Sequence, residues 1–545
     1  MKTMKYLMAG FAVCSMAVAG VSLTSCSDLD EKPYTFVDPS SFYKTEGEAQ
    51  EALNGVYNRF RNIYSGNNSL YVAELELLTE QGWPTYNKEN VHELSQWPYA
   101  NNAAVGGVMK TWRFAYSCIN RANVVLSHVD DVKNMADKTK EQIKGQALFL
   151  RGYTYFHLLR LYGGVPLSTE PTNGVSGLDI PRASLDDTYA RVIEDLTQAE
   201  ALLPIRGKDN YDRWRVSKGT VQAALGEVYL YRGTMNDNNR DDLQKSKDWS
   251  WKVIESGEYD LMPNFTDNFY WFNANAKNNK ESLFELQYSA QEGQSNNMHH
   301  RFGLGRTNRA YMGAYQYARF GVSGYLYREM IANNDKRADA FLTYFEGLCG
   351  DDAKALSVQP CRYNAQTLRW EPKAWNDRPA EHRALFNCKY FDNRTDANLN
   401  LPNADFPIIR YSEVLLNYAE AANLLSPLDG MEQLKKVRER AGLTPTPNVS
   451  NQQEMDDEIL NQRRYEFVGE AKIFFDELRK GKLGDYAEEK CHQCKIDGIT
   501  YMGGELVFKP TKSYLFKIPQ SDLDSNKALH DAQNPDNVSA PLKYK

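Results

Sequence analysis

Two stretches of the chain place aromatic rings among amide and guanidinium side chains, outside any helical pattern. The first is EQGWPTYNKENVHELSQWPYANN, and its candidate binding residues are Trp83, Tyr86, Trp97, Tyr99 and Asn101. Trp and Tyr offer large rigid faces on which sugar rings can stack, and amides can hydrogen-bond hydroxyl groups. The pattern therefore indicates a sugar-binding surface. The alternative is that both tryptophans are buried in the scaffold beneath the loop.

The second stretch covers residues 269–320 and is rich in the same side-chain types. Its aromatic and arginine residues are Phe269, Tyr270, Trp271, Arg301, Arg306, Tyr311, Tyr315 and Tyr317. From these we select Trp271, Arg301 and Tyr315 as candidate ligand contacts. The arginines could meet an acidic sugar or could pair with the protein's own carboxylates. Trp370 and Trp375 form a third candidate pair.

The sequence carries no signature of an enzyme. It has no G-x-S-x-G elbow, no H-E-x-x-H and no Walker A loop. With 71 Asp and Glu residues, some carboxylate pair always looks suitable for glycoside hydrolysis, so their abundance decides nothing. We predict a binding protein without catalysis, cofactor or assigned metal. Cys491-His492-x-Cys494 could be half of a zinc site, a disulfide or two thiols, and pairing of Cys349 with Cys361 is equally open.

The N-terminal residues have the pattern of a removable secretion signal. Lys2 and Lys5 precede an uncharged run from residue 6 to residue 25, which becomes rich in small residues. The run ends in LTSC, which resembles a bacterial lipobox and predicts lipidation of the Cys26 thiol after removal of residues 1–25. An ordinary signal with a chance cysteine is the alternative. The acidic segment that follows, residues 27–31, resembles a surface-export tag but could be a solvated leader.

Composition narrows the class of protein further. The chain has 545 residues and a formal net charge of −7, which does not favour a nucleic-acid partner. Its length allows a large core or two or three domains. No second segment is apolar enough to cross a bilayer, so we expect a soluble protein tethered by lipid at residue 26.

The elements that position the candidate residues are mainly helical. TEGEAQEALNGVYNRFRNI opens with a capping-box pattern at Thr45 and Glu48, and a later helix should stop at Gly163-Gly164. From Leu185 to Val221 is 36 residues, close to the period of about 34 of tetratricopeptide units. We predict a helical-repeat part over 26–260, a loop-rich, irregular excursion over 261–400 and a helical return over 401–545. Trp112, Trp214, Trp249 and Trp251 lie on or beside helix patterns, and we expect most of them in the core.

Several segments, in order along the chain, carry a family resemblance. They are LTSC, YTFVDPSSFYKTEGEAQEALNGVYNRF, RGYTYFHLLRLYGGVPL, RVSKGTVQAALGEVYLYRG, FPIIRYSEVLLNYAEA, RRYEFVGEAKIFFDELRKG and QNPDN. Together they resemble the SusD/RagB-like lipoproteins of Bacteroidetes. The resemblance implies a scaffold of four tetratricopeptide-like helix pairs with a loop-rich ligand face, to which the Trp83–Asn101 loop contributes. It also implies that Arg410, Glu413 and Glu420 form buried ion pairs or caps.

In function, the resemblance implies a lipoprotein of the outer membrane, exposed at the cell surface. Such a protein captures a nutrient glycan and delivers it to a SusC-like TonB-dependent transporter. Two other readings stay open: peptide binding, as in some RagB-like relatives, and surface glycoside hydrolysis. Because ligand-contacting loops differ among members, the resemblance leaves open which glycan is bound, its linkage and its length.

Overall fold

The computed structural model describes residues 42–65, 71–83, 106–172, 179–208, 211–270, 272–296, 298, 321–342, 362–364, 369–371, 386–390, 402–496 and 515–531. The chain forms two compact units, residues 1–44 and 45–545. In the first unit, described at residues 42–44, the rings of Phe42 and Tyr43 meet edge to face with centroids 5.2 Å apart. Every helix and strand named below belongs to the second unit.

Fifteen α-helices lie within the described residues, which confirms a mainly helical fold. They are α1 (Glu46–Ser65), α2 (Tyr71–Leu77), α3 (Gly106–His128), α4 (Asp137–Tyr162), α5 (Leu185–Leu202), α6 (Lys218–Met235), α7 (Arg240–Ser256), α8 (Gly324–Ala332), α9 (Tyr411–Leu425), α10 (Met431–Arg440), α11 (Gln452–Glu466), α12 (Ile473–Arg479), α13 (Leu483–Ile496), α14 (Gln520–Ser525) and α15 (Lys527–Asp531). Within the described part of the chain, none of them combines the length and the apolar character needed to cross a membrane.

Local signals in the sequence explain where several helices begin and end. At α1 the Thr45 backbone N–H donates to Glu48 and the Glu48 N–H donates to the Thr45 hydroxyl, which confirms the predicted capping box. Ser217 caps α6 in the same reciprocal way with Thr220. α4 ends at Gly163, whose φ of 77° suits glycine.

The helices pack in sequence order and build a repeat-like scaffold. α1 packs on α3, α3 on α4, α4 on α5, α5 on α6, α6 on α7 and α7 on α9, and α9 also contacts α10 and α11. Small residues permit the close approach: a Cβ atom at Gly152 of α4 would lie 2.8 Å from the Cβ of Asp195 in α5. This arrangement agrees with the predicted tetratricopeptide-like character.

Short antiparallel strand pairs accompany the helices. They are β1 (Gly82–Trp83) with β3 (Gly321–Val322), β2 (Ser282–Leu286) with β8 (Phe406–Arg410), β4 (Phe341–Leu342) with β7 (Phe386–Asn387), and β5 (Arg362–Asn364) with β6 (Arg369–Glu371). The β2–β8 pair is fully buried. Within residues 261–400, the described residues form short strands together with helix α8.

The four tryptophans that lie on or beside helix patterns separate into two groups. Trp112 is buried and its indole N–H donates to Asp522, and Trp249 is half-buried. The prediction is wrong for Trp214 and Trp251, whose exposed fractions are 45% and 41%. Trp214 precedes α6 in a turn, and Trp251 lies beside, not within, the buried stripe of α7.

A lattice of eight buried charges joins the central and C-terminal parts of the fold. Its cations are Arg337, Lys389, Arg410 and Arg440, and its carboxylates are Glu281, Asp335, Glu466 and Glu470. The Arg410 guanidinium is the centre: one Nη atom lies 2.7 Å from both Glu281 and Glu466, and the other lies 2.9 Å from Glu470. We call these eight residues the charge lattice.

The four cations and four carboxylates of the lattice stabilise one another in an interior that excludes water. Burial alone would raise the pKa of Glu466, but the three neighbouring arginines hold this pKa well below its usual range. Burial likewise opposes ionisation of Arg410, yet its three carboxylate partners keep the pKa of the guanidinium well above normal. An unpaired charge at this depth would cost several kcal/mol, so each member depends on the others.

The other two charged residues named with Arg410 also form buried ion pairs, as predicted. The Lys472 ammonium lies 2.7 Å from the Glu413 carboxylate, and the guanidinium of Arg479 pairs with Glu420. These pairs connect α9 to residues 472–479, immediately after the segment that supplies Glu466 and Glu470 to the charge lattice.

Replacing the centre of the lattice should be costly. We expect Arg410→Met to lower the free energy of unfolding by about 3–5 kcal/mol, because three buried carboxylates lose their shared cation. Urea unfolding followed by circular dichroism at pH 7 measures this change.

The matched control is Lys435→Met, which removes an exposed ion pair with Glu432 in α10. We expect this variant to stay within about 0.5 kcal/mol of the wild type. An Arg410→Met protein as stable as the Lys435→Met protein would contradict the role assigned to the lattice.

Candidate functional site

The candidate site residues occupy segments at the edge of the described part of the chain. Trp83 is described through its backbone, as the second residue of β1. The other candidates lie outside the described residues: Cys26, Tyr86, Trp97, Tyr99, Asn101, Trp271, Arg301 and Tyr315. The structure therefore defines the site through the described elements at which these segments begin and end.

Strand pairing places the start of one aromatic-rich segment beside the end of another. In the β1–β3 pair, Gly82 lies opposite Val322 and Trp83 lies opposite Gly321. Residues 84–105 follow Trp83 directly in the chain, and residues 299–320 directly precede Gly321. The segment with Trp97 thus starts beside the point where the segment with Arg301 and Tyr315 ends, although the two are far apart in sequence.

A third segment starts and ends next to the same strands. β4 pairs with β7, with Leu342 opposite Phe386, so the two ends of residues 343–385 meet. β7 in turn lies against β3. This segment includes Trp370, which faces Tyr363 across the β5–β6 pair in backbone register, and Trp375, which is outside the described residues. Three candidate segments therefore share one root, formed by β1, β3, β4 and β7.

Residues 78–82, which connect α2 to β1 and which we call the β1 corner, are held in one position by close contacts and hydrogen bonds. A Cβ atom on Gly82 would lie 2.2 Å from the carbonyl oxygen of Glu76 in α2, which only a glycine avoids. The Gln81 carbonyl accepts a hydrogen bond of 2.7 Å from the backbone N–H of Ser323, just after β3. The Gln81 side-chain amide donates to the Arg464 carbonyl. Backbone and side chain of one residue thus tie β1 to β3 and to α11.

Residues of the C-terminal part of the chain form ion pairs and hydrogen bonds with the same corner. The Arg464 guanidinium lies 2.7 Å from the Glu80 carboxylate, and the Lys490 ammonium donates to the carbonyls of Leu77 and Thr79 at 3.1 and 2.9 Å. The Ala471 N–H donates to the Glu76 carboxylate at 2.9 Å. Burial raises the pKa of Glu76 to about 7, even though backbone hydrogen bonds lower it.

A buried apolar cluster packs against the strands of the shared root. It combines Val322 of β3 and Phe341 of β4 with side chains from α8, α11 and the 3-10 turn at residues 265–268. Phe269 belongs to this cluster and is 2% exposed, so this ring of the second aromatic-rich stretch packs in the core. Its neighbour Tyr270 is half-buried.

These contacts decide what chemistry the site can offer. The polar side chains of the corner, such as Glu76, Glu80 and Arg464, are buried and hydrogen-bonded within the protein, so they support the root and do not face a ligand. Among the described residues, no group of three or more His, Cys, Asp and Glu side chains is arranged to hold a metal ion.

The supporting residues were not found from the sequence. Gly82 follows Gln81 and precedes Trp83 without any turn motif, and its need for glycine depends on the backbone of α2. Glu80 and Arg464 are 384 residues apart in the chain, so no local pattern pairs them. One sequence signal points to this region: RRYEFVGEAKIFFDELRKG carries the family resemblance and supplies Arg464, Glu466, Glu470 and Ala471.

Comparison with known proteins places the chain in a family. A family model described as "SusD family" matches residues 232–536, and a second, described as "Starch-binding associating with outer membrane", matches residues 29–230. The chain is similar to SusD-like protein P2 of Formosa agariphila, with 25% identity over 93% of this chain and 96% of that protein.

Solved structures show the same fold. A SusD homolog from Bacteroides thetaiotaomicron aligns with a TM-score of 0.75 and 20% identity, over 92% of this chain and 99% of that chain. Surface glycan-binding protein A from the same organism, in complex with laminarihexaose, aligns with a TM-score of 0.68 and 20% identity, over 89% and 98% of the two chains. The first family model alone spans more than half of the sequence, and the chain belongs to the SusD family.

Proposed function

We propose that the protein is a non-catalytic lipoprotein of the outer membrane that binds a glycan at the cell surface. It captures the glycan on the aromatic-rich segments around the β1–β3 root. It then delivers the glycan to a SusC-like TonB-dependent transporter.

The observation that carries the proposal is the register of β1 on β3. Trp83 lies opposite Gly321, so segment 84–105 begins and segment 299–320 ends at neighbouring points, beside the buried apolar cluster that contains Val322. Both segments combine Trp or Tyr with Asn, Gln or Arg. Glycans present apolar ring faces and hydroxyl edges, which match this mixture of stacking surfaces and hydrogen-bonding groups. Loops held by a rigid scaffold are the usual location of binding residues.

The relatives support the same class of ligand. One matching family is described as starch-binding and as associating with the outer membrane. A structural neighbour over most of the chain is a surface glycan-binding protein bound to laminarihexaose. Another neighbour, at 23% identity, is a laminarin-binding SusD-like protein. These proteins share the fold of this chain, and the ligands that they name favour a glycan over a peptide.

Lipidation at Cys26 and a transporter partner complete the proposal. A diacylated and N-acylated cysteine would hold the protein stably at the membrane, where one acyl chain would bind only marginally. Tethering beside a transporter raises the effective concentration of a weakly bound glycan at the pore. Weak and reversible sites are therefore sufficient for uptake.

The binding claim is tested by affinity electrophoresis of residues 27–545 through native gels that contain single polysaccharides, laminarin and starch first. We expect one polymer to retard the wild type, and Trp83→Ala or Trp97→Ala to weaken that binding by about tenfold or more, roughly 1.4 kcal/mol. Trp97→Phe, which keeps an aromatic face, should retain part of the retardation.

Failure of every glycan to retard the wild type would contradict glycan binding and would direct the search to peptides. Cleavage of the polymer during the experiment, measured as new reducing ends, would contradict the non-enzymatic assignment. Retardation that neither alanine substitution weakens would show that the ligand binds elsewhere on the chain.

The anchoring claim is tested by Cys26→Ala in the full chain, with Cys14→Ala as the matched control inside the same leader. We expect Cys26→Ala to lose surface exposure, measured by protease accessibility on intact cells, while Cys14→Ala keeps it. The folded part should be unaffected, since residue 26 precedes the unit that contains the helices. A Cys26→Ala protein that stays on the surface would contradict lipid anchoring.

A further inference from the structure

The scaffold itself presents an aromatic pair to solvent, on helices and not on the loop-rich segments. Trp251 of α7 is 41% exposed, and its ring lies beside that of Tyr418 of α9, with centroids 5.4 Å apart and planes inclined by 41°. Tyr418 is half-buried. Because α7 and α9 pack directly against each other, the two rings are held as one platform.

The position of Trp251 is not explained by the packing of α7. The buried stripe of this helix consists of Asp242, Leu243, Ser246, Ser250 and Val253, and Trp251 lies outside it. A buried indole would remove a large apolar area from water, so an exposed one forgoes that stabilisation. A ring kept in solvent by a rigid helix, next to a second ring, is suited to stacking against a ligand.

Polar groups border the two rings and define the kind of ligand. The Lys247 ammonium lies 5.7 Å from the centre of the Tyr418 ring and 2.6 Å from the Asp429 carboxylate. The Asp248 carboxylate accepts a hydrogen bond of 2.8 Å from Gln244 on the same helix. This edge offers both donors and acceptors and no excess of cations. It matches the hydroxyl groups of an uncharged sugar and does not match a carboxylate- or sulfate-bearing one.

We propose that Trp251 and Tyr418 form a second glycan-binding site, on the helical scaffold, for an uncharged polysaccharide. The proposal rests on the proposed function in one respect, since both sites take the same class of ligand. A long polymer that touches two sites of one protein binds with higher avidity than either site provides. The platform would therefore retain polysaccharides more strongly than short oligosaccharides.

Trp214 provides a matched control. It is 45% exposed, like Trp251, but its ring contacts the guanidinium of its neighbour Arg213 at 4.8 Å. Within the described residues, no second aromatic ring contacts Trp214, so it offers no paired platform.

The test is affinity electrophoresis of residues 27–545 in gels with the neutral polysaccharides laminarin and starch. It compares the wild type, Trp251→Ala, Trp251→Phe, Trp214→Ala and the double variant Trp83→Ala/Trp97→Ala. We expect Trp251→Ala to weaken binding by about fivefold, Trp251→Phe to weaken it less, and Trp214→Ala to match the wild type. Adding Trp251→Ala to the double variant should remove the remaining retardation.

The outcomes separate the two proposals. If the wild type is retarded and Trp251→Ala behaves like Trp214→Ala, the platform is wrong and binding by the loop segments stands. If Trp251→Ala alone abolishes retardation and the double variant keeps it, the platform stands and the loop-segment proposal fails. If neither polymer retards the wild type, a neutral-glycan platform is overturned, and an interface for a protein partner becomes the explanation of the exposed rings.

Discussion

The buried attraction between the Arg410 guanidinium and three carboxylates is the interaction on which the rest of the structure depends. Two of these carboxylates, Glu466 and Glu470, lie at the end of α11 and just after it. The same short segment supplies Arg464, which pairs with Glu80, and Ala471, which donates to Glu76. One stretch of chain thus connects the charge lattice to the corner that carries β1. The position of the candidate ligand-binding segments follows from that connection.

A lattice of this kind favours one arrangement over its alternatives. Ions taken out of water must recover their lost hydration through well-placed partners, and displacement of one leaves the others uncompensated. The scaffold therefore has little freedom near residues 464–471, and neither does the β1 corner that it supports. None of the eight lattice residues lies in segments 84–105, 299–320 or 343–385, so substitutions in those segments leave the buried charges paired.

Periodicity and capping signals were enough to predict the helices, since these depend on residues a few positions apart. The capping box at Thr45 and the stop at Gly163 are of this kind. Contacts between distant residues could not be predicted: Glu281 and Arg410 are 129 residues apart, and the β1–β3 pair consists of two residues on each strand. Trp251 lies off the buried stripe of α7 that includes Ser246, Ser250 and Val253, and its apolar residue type alone suggested burial. The candidate residues were chosen by chemistry, and the shared root of their segments became visible only in the structure.

The central claim is that segments 84–105 and 299–320 form one ligand-binding face. Hydrogen–deuterium exchange, measured with and without a polysaccharide that retards the protein, tests it most directly. The account predicts slower exchange in both segments on binding, since one ligand would cover them together. Slower exchange in only one segment, or unchanged exchange in both while the protein is saturated with ligand, would contradict it.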